Sequence, residues 1–588
     1  MSTFINKIKN FNFGLLSRIL KLAKPYKLYF YLSIFIGLLI APLSAYRPYI
    51  IKTIIDDDIK ISDIQGISNN SMIYILILIL ETLLAFAFGY LTFWLGQSII
   101  RDLRNNLFNH IIRLELNYFD KTPIGNLTTR TISDIETINS VFSEGIITIF
   151  IDIITLFVVF GMMIYTNWKL TLICLSVLPL LIIVSYYFKE AVKKSFTEVR
   201  SQIAIMNSFL QERIAGMKIL QIFNLQEFEI KKLKKINLDY TEANIRSIFA
   251  YSVFFPAVEI ISAISIGLLV WYGSFGIIRN EVSIGLLISF PLYINMLFRP
   301  IRMLADKFNT LQMGMIAAER VFALQDTDLV NVSSGKIKLD HVRGKIDFEQ
   351  VNFCYINNQQ VLKNINIHIQ ADETIAIVGS TGSGKTTIIN LLSRFYPIES
   401  GKISIDDTNI NDLDLNYLRT IVGVILQDVF LFNGTILENI TLKNSEISPE
   451  MVFDFARKIG CYDMIMKLPN GFNYNVMERG VALSVGQKQL ISMLRTLIYN
   501  PKIIIMDEAT SSIDPESELI IQYAIEKLIE KRTSIIIAHR LSTIQHANKI
   551  YVMDHGEIVE EGAISDLLKI DNGHFKNLSD KQDKIAIY

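Results

Sequence analysis

The chain has 588 residues and is 51% hydrophobic, with a mean hydropathy of +0.35, which excludes a single soluble domain of ordinary composition. Basic and acidic residues number 57 each, so the global charge leaves no footprint for a nucleic-acid partner. Three cysteines, Cys174, Cys354 and Cys461, lie far apart without metal-ligand spacing and read as reduced thiols, buried or facing the cytosol.

The apolar residues concentrate before Leu324. Residues 11–23 are amphipathic and followed by Pro25, without the apolar core and cleavage site of a signal peptide. They predict a helix lying on a membrane surface. Six segments then reach the roughly 20 apolar residues that a bilayer crossing needs: 28–46, 71–100, 145–168, 170–188, 247–278 and 282–298. Six spans put both ends of this region on one side. The long connections after the second and fourth spans carry Arg101, Arg104, Arg113, Lys121 and Arg130, then Lys189, Lys193, Lys194, Arg200, Lys231 and Lys232. The opposite loops are short or acidic, as at Asp56-Asp57-Asp58. The positive-inside tendency therefore makes the long connections cytoplasmic, with both termini on that side of the cytoplasmic membrane.

These connections read as helical extensions of the spans, each broken near its middle, at Pro123 and Gly125 and at Gly216. The breaks are either ordinary turns or tips that dock on the second domain. Arg47, Glu81, Asp152, Glu259 and Arg299 sit in or at the ends of spans, where charges face a cavity or pair with a neighbouring helix.

Residues 326–343 turn polar and form a linker. Alternating runs at 345–355 and 361–369 predict strands. A β-branched run from Thr374 to Val378 then leads into Gly379-Ser380-Thr381-Gly382-Ser383-Gly384-Lys385-Thr386-Thr387, followed by an apolar stretch at 388–392. Strand, glycine-rich loop and helix are the context of a P-loop. Its glycines turn backbone N–H groups inward around phosphate oxygens, and the helix N-terminus adds positive potential. Lys385 can reach the β- and γ-phosphates, and the Thr386 hydroxyl can ligate Mg²⁺. Downstream, an apolar run from Ile503 to Met506 ends in Asp507-Glu508. Asp507 is placed to position Mg²⁺ and Glu508 to polarise the attacking water.

Between these elements lies Leu483-Ser484-Val485-Gly486-Gln487, and after them Ser511-Ser512-Ile513-Asp514 and Ala538-His539-Arg540. This order, with Gln427 after the P-loop, resembles the ATP-binding cassette family. Six spans ahead of one cassette resemble its exporter half-transporters, of the multidrug or lipid-exporting type, over nearly the whole chain. The resemblance implies a multi-domain membrane protein in which an all-α six-helix transmembrane domain is fused to an α/β P-loop NTPase cassette. The expected domains are an interfacial helix at 1–26, the transmembrane domain at 27–325, the linker at 326–343 and the cassette at 344–588.

The resemblance also implies roles. Tyr355 stacks on adenine, Gln427 ligates Mg²⁺ or the attacking water, and His539 contacts the γ-phosphate. Ser484, Gly486 and Gln487 act in trans on ATP held by a second cassette, and Asp514 sits at the seam. The loop containing Asn475, Glu478, Arg479 and Gly480 resembles the exporter segment that touches the membrane domain's tips. The expected activity is ATP-driven export of hydrophobic or amphipathic small molecules, drugs or lipids by alternating access. The implied partners are ATP with Mg²⁺, membrane lipids, a hydrophobic substrate and a second half-transporter. Val485 stands where the family usually has Gly, which favours a heterodimer over a homodimer, although Val485 is also compatible with two working sites. A regulatory subunit that binds ATP without transporting is the alternative, and the intact Glu508 and His539 count against it.

Overall fold

The computed structural model describes residues 13–327, 335–356, 359–507, 515–538 and 544–586. They fall into two units, residues 13–112 with 122–327, and residues 113–121 with the described chain from 335 onward.

Among the described residues of the first unit, four helical stretches are long and apolar enough to cross a membrane: Lys24–Ile59, Ile64–Ile111, Ile124–Leu175 and Gln226–Ile278. Ile284–Pro300 is a shorter apolar stretch that opens the helix Ile284–Gln325. The six expected segments all lie on helices, but the third and fourth are divided differently. The helix Ile147–Leu175 is interrupted at Asn167, whose φ of −163° and ψ of 107° are extended. The Asn167 Oδ1 accepts the N–H of Leu170 at 3.0 Å and so starts the next helical run. That run breaks again at Ser176 and resumes as Leu178–Ala215, with a proline in its first turn.

The charged residues in the spans sort by partner. Arg47 pairs with Glu81 at 2.9 Å, and Asp152 accepts a hydrogen bond from Lys307. For these three the helix-to-helix ion pair is the arrangement found. The helix Gln226–Ile278, an extension continuous with the span at 247–278, runs for 53 residues, about 80 Å at 1.5 Å per residue. Short helices stand at the two breaks: Met217–Ile222 in this unit, and Leu116–Lys121 in the segment that groups with the second unit. The N-terminal helix Phe13–Lys21 buries Ile19 completely, and its Arg18 pairs with Asp326 and lies over the Phe322 ring. Protein covers part of the face that was expected to meet a membrane surface.

The second unit is built on two sheets. The first, in the order β2-β1-β4-β5, contains β1 (Ile346–Ile356), β2 (Gln359–Ile369), β4 (Ser400–Ile405) and β5 (Thr408–Asn409), all antiparallel. The second runs β10-β9-β3-β8-β7-β6, with β3 (Thr374–Gly379), β6 (Val422–Ile425), β7 (Ile503–Asp507), β8 (Thr533–Ile537), β9 (Lys549–Asp554) and β10 (Glu557–Gly562). Its strands are parallel apart from the β9–β10 hairpin.

The central strands read as unbroken apolar runs because both faces are covered. Ile503, Ile505, Ile535, Ile537, Ile375 and Ile377 point into one core, with the helix Lys385–Leu392. Ile504, Met506, Ile536, Ala376 and Val378 point into the other, with the helices of the 431–498 region. Residue alternation along each strand therefore joins two different layers rather than separating core from solvent.

Candidate functional site

Strand register brings the chemistry to one edge. Ile377 pairs with Ile537, Asp507 with Ile537, and Ile425 with Met506, so β3, β8, β7 and β6 end side by side. The carboxyl ends of parallel strands are where open α/β sheets bind ligands. The glycine-rich loop leaves β3 there. A Cβ at Gly379 would lie 2.2 Å from the Met553 carbonyl oxygen, so only glycine lets the loop start against β9. Gly384 has a φ of 102°, a left-handed conformation suited to glycine, at the residue that caps the helix Lys385–Leu392. The helix N-terminus, whose first N–H groups lie outside the helical ladder, thus follows the loop directly, and the Thr387 N–H bonds to the Gly384 carbonyl at 3.1 Å.

Within the loop, Lys385 is 6% exposed, and its Nζ donates to the carbonyls of Gly379 and Ser380 at 2.9 Å each. The ammonium group is thus held inside the curl of the loop. The Thr386 hydroxyl donates to Asp507 Oδ2 at 3.2 Å, and Asp507 is buried. A hydroxyl and a carboxylate at this spacing are the hard oxygen donors that suit Mg²⁺ completed by phosphate and water. Ser383 Oγ is buried and has no hydrogen-bond partner among the described residues. Ser380 Oγ donates to Asp554 at 3.4 Å. Thr381 and Gly382 form the exposed turn of the loop. The donor set fits a nucleoside triphosphate with a divalent cation.

Tyr355 is the last but one residue of β1, next to the helix that follows the loop. Its hydroxyl donates to Thr387 Oγ1 at 3.3 Å and accepts from Asn390 at 3.0 Å, while its ring meets Phe353 and Tyr396 edge to face at 4.7 and 5.0 Å. Burial first, and then a hydrogen bond to Asp120, push the Tyr396 phenol above its ordinary pKa range. Gln427 lies exposed two residues beyond β6, beside the end of β7.

The segment expected to act on a second cassette starts the helix Val485–Ile498. Ser484 is its N-cap: its Oγ accepts the Gln487 N–H at 3.3 Å, and Gln487 Oε1 accepts the Ser484 N–H at 3.0 Å. This capping box fixes Ser484 and Gln487 at an exposed helix N-terminus, with Gly486 buried beneath and Val485 51% exposed. Met477, Arg479 and Gly480 all have positive φ, and Lys488 Nζ donates to the Arg479 carbonyl at 3.1 Å, securing that loop to the helix. Glu508, Asp514 and His539 lie outside the described residues. Sequence reading passed over Tyr396 and Gln489. The available signal was a glutamine on the apolar face of an otherwise buried helix.

Family models match both halves: the ABC transporter transmembrane region over residues 30–301, and the ABC transporter model over residues 362–511. The chain is 38% identical to an uncharacterized ABC transporter ATP-binding protein of Bacillus subtilis, over 81% of this chain and 79% of the relative. It is 33% identical to a putative multidrug export ATP-binding/permease protein of the same organism, over 96% and 99% of the two chains. It is also 33% identical to an ATP-dependent lipid A-core flippase of Syntrophus aciditrophicus, over 98% and 96%.

Proposed function

This chain belongs to the ATP-binding cassette transporters, multi-pass membrane proteins that couple ATP hydrolysis to transport, and on that premise we propose that it exports hydrophobic or amphipathic small molecules, drugs or lipids across the cytoplasmic membrane. The observation that carries this reading is one chain holding apolar spans and, at the sheet edge, Lys385 inside its loop with Thr386 bonded to Asp507. The names of the relatives, a multidrug exporter and a lipid flippase, support the substrate class.

In this reading Gly379, Ser380, Thr381, Gly382, Ser383, Gly384 and Thr387 form the phosphate cradle, and Lys385 neutralises the β- and γ-phosphates. Thr386, Asp507 and Gln427 hold Mg²⁺, which supplies charge neutralisation of the transferred phosphoryl group. Glu508 accepts the proton of the attacking water, His539 donates to the γ-phosphate, and Tyr355 stacks on the adenine. Ser484, Gly486 and Gln487 close over ATP bound to a partner cassette, since a helix N-terminus is suited to a phosphate, and Asp514 lines the seam. The working unit is a dimer, with a heterodimer favoured by Val485, and both termini are cytoplasmic.

The test is ATP hydrolysis and efflux of a fluorescent amphipathic cation or lipid by the reconstituted chain, beside Glu508→Gln. Turnover lowered by at least about a hundredfold supports the base assignment. Activity that survives the change sinks it. Hydrolysis that no amphipathic substrate stimulates, with no movement of any, sinks the exporter reading.

A further inference from the structure

The helix Val485–Ile498 buries the polar side chains of Gln489, Ser492 and Thr496, and the first of them reaches out of the helix to another element. Gln489 is 2% exposed, among the buried Leu490, Ile491 and Met493. Its Nε2 donates to two main-chain carbonyls of the loop leaving β6: Gln427 at 3.0 Å and Leu426 at 3.4 Å. Its Oε1 has no hydrogen-bond partner among the described residues. A buried amide satisfied at one end only is costly, and Leu or Met would fill nearly the same volume without that cost. What Gln489 adds over them is a grip on the 426–427 main chain. The neighbouring Lys488 grips a different loop, through the Arg479 carbonyl.

The grip joins two places with separate tasks. Gln427 stands beside the end of β7 and thus beside this cassette's own nucleotide site. Ser484 caps the other end of the tie, five residues and about 7.5 Å up the helix axis. An α-helix with all its internal hydrogen bonds moves as a stiff piece, so a shift of the 426–427 main chain displaces the Ser484 end with it.

We propose that Gln489 is a positioning residue that ties the Gln427 loop of one ATP site to the Ser484 end of the same cassette, so that nucleotide in a cassette's own site aligns the surface it offers to its partner's ATP. This rests on the roles given to Gln427 and Ser484 under the proposed function.

The experiment uses the full-length dimer in lipid nanodiscs, in the Glu508→Gln background, so that ATP binds without turnover. Affinity is measured with a fluorescent ATP analogue, and cassette closure by energy transfer between dyes on the two cassettes. Gln489→Leu keeps the volume and removes the donor; Gln489→Asn keeps the amide but falls one methylene short. Each is expected to bind nucleotide with unchanged affinity while closure requires about tenfold more ATP. Closure at the unmodified protein's ATP concentration in a folded variant overturns the proposal. So does a joint loss of affinity, closure and thermal midpoint, or failure of both variants to fold, since either makes Gln489 a core residue only. Ser484→Ala and Gln427→Ala run alongside. If both close normally, the reading of those two residues fails; if both lose closure and Gln489→Leu keeps it, only the tie fails.

Discussion

The phenol of Tyr396 donates a hydrogen bond to the carboxylate of Asp120, 276 positions earlier in the chain. Asp120 lies on the short tip helix Leu116–Lys121, within the segment that groups with the cassette. The Tyr396 ring meets Tyr355 edge to face at 5.0 Å. The proposed adenine platform and the tip of the first cytoplasmic extension are therefore two contacts apart.

Tyr396→Phe removes the hydroxyl and keeps the ring. ATP affinity is expected to hold, because Tyr355 keeps its neighbour. The stimulation of ATP turnover by transported substrate should fall roughly tenfold, the scale of one lost charge-assisted hydrogen bond. Measuring hydrolysis with and without substrate checks this. Undiminished stimulation means that the contact carries no coupling.

Two glycines of the loop separate crowding from backbone strain. At Gly379 an added Cβ meets the Met553 carbonyl at 2.2 Å, whereas at Gly382 it meets nothing within 4 Å, although φ is 85°. Gly379→Ala should abolish ATP binding or reduce it by well over tenfold. Gly382→Ala should cost about 1–2 kcal/mol, the price of a left-handed alanine. Titration with a fluorescent nucleotide ranks them, and equal effects contradict the crowding argument.

Ser484 has two jobs that one substitution pair can divide. Ser484→Ala removes the N-cap and should lower stability by about 1 kcal/mol together with ATP turnover. Ser484→Asp retains a capping oxygen, so the thermal midpoint should stay near that of the unmodified protein. It also sets a carboxylate where the partner's phosphates are expected, so turnover should still be lost. Full turnover in Ser484→Asp rules out a phosphate facing this residue.

The Arg47–Glu81 pair joins the first two spans at 2.9 Å, with Arg47 also 5.8 Å from the Tyr74 ring centroid. Removing one partner, as in Glu81→Gln, leaves a charge without its counter-charge and should destabilise by about 3 kcal/mol. Replacing both, Arg47→Met with Glu81→Leu, should recover most of that loss. Thermal unfolding of the three variants in detergent reads the cycle, and additive losses mean that the pair is not coupled.

Much of this molecule is visible in local sequence. The run Thr374–Gly379 and the nine residues from Gly379 announce strand and phosphate loop because backbone needs decide them within a few residues. The spans are legible because hydrocarbon demands long apolar helices. The Asn167 interruption lies close to where the expected spans 145–168 and 170–188 meet. The second break, at Ser176, is not legible, because Leu175 and Val177 around it are as apolar as the spans themselves. The amphipathic N-terminal helix shows the limit from the other side. Its pattern is the same whether lipid or protein covers it, and only the fold reveals Ile19 buried and Arg18 against the end of the helix Ile284–Gln325.

By itself the sequence determined the chemistry on offer: a phosphate loop, a strand ending in carboxylates, a capped helix start and the spans, each a local pattern set by backbone geometry or hydropathy. Only the tertiary structure decided which groups meet. Thr386 reaches Asp507 across 121 positions because β3 and β7 are both parallel neighbours of β8, so their carboxyl ends share one edge. Gln489 reaches the Gln427 carbonyl because its helix packs on the face of the sheet that Met506 and Val378 cover. Tyr396 reaches Asp120 because a tip helix lies with the cassette. Strand order and packing between layers set these distances, and no periodicity along the chain encodes them.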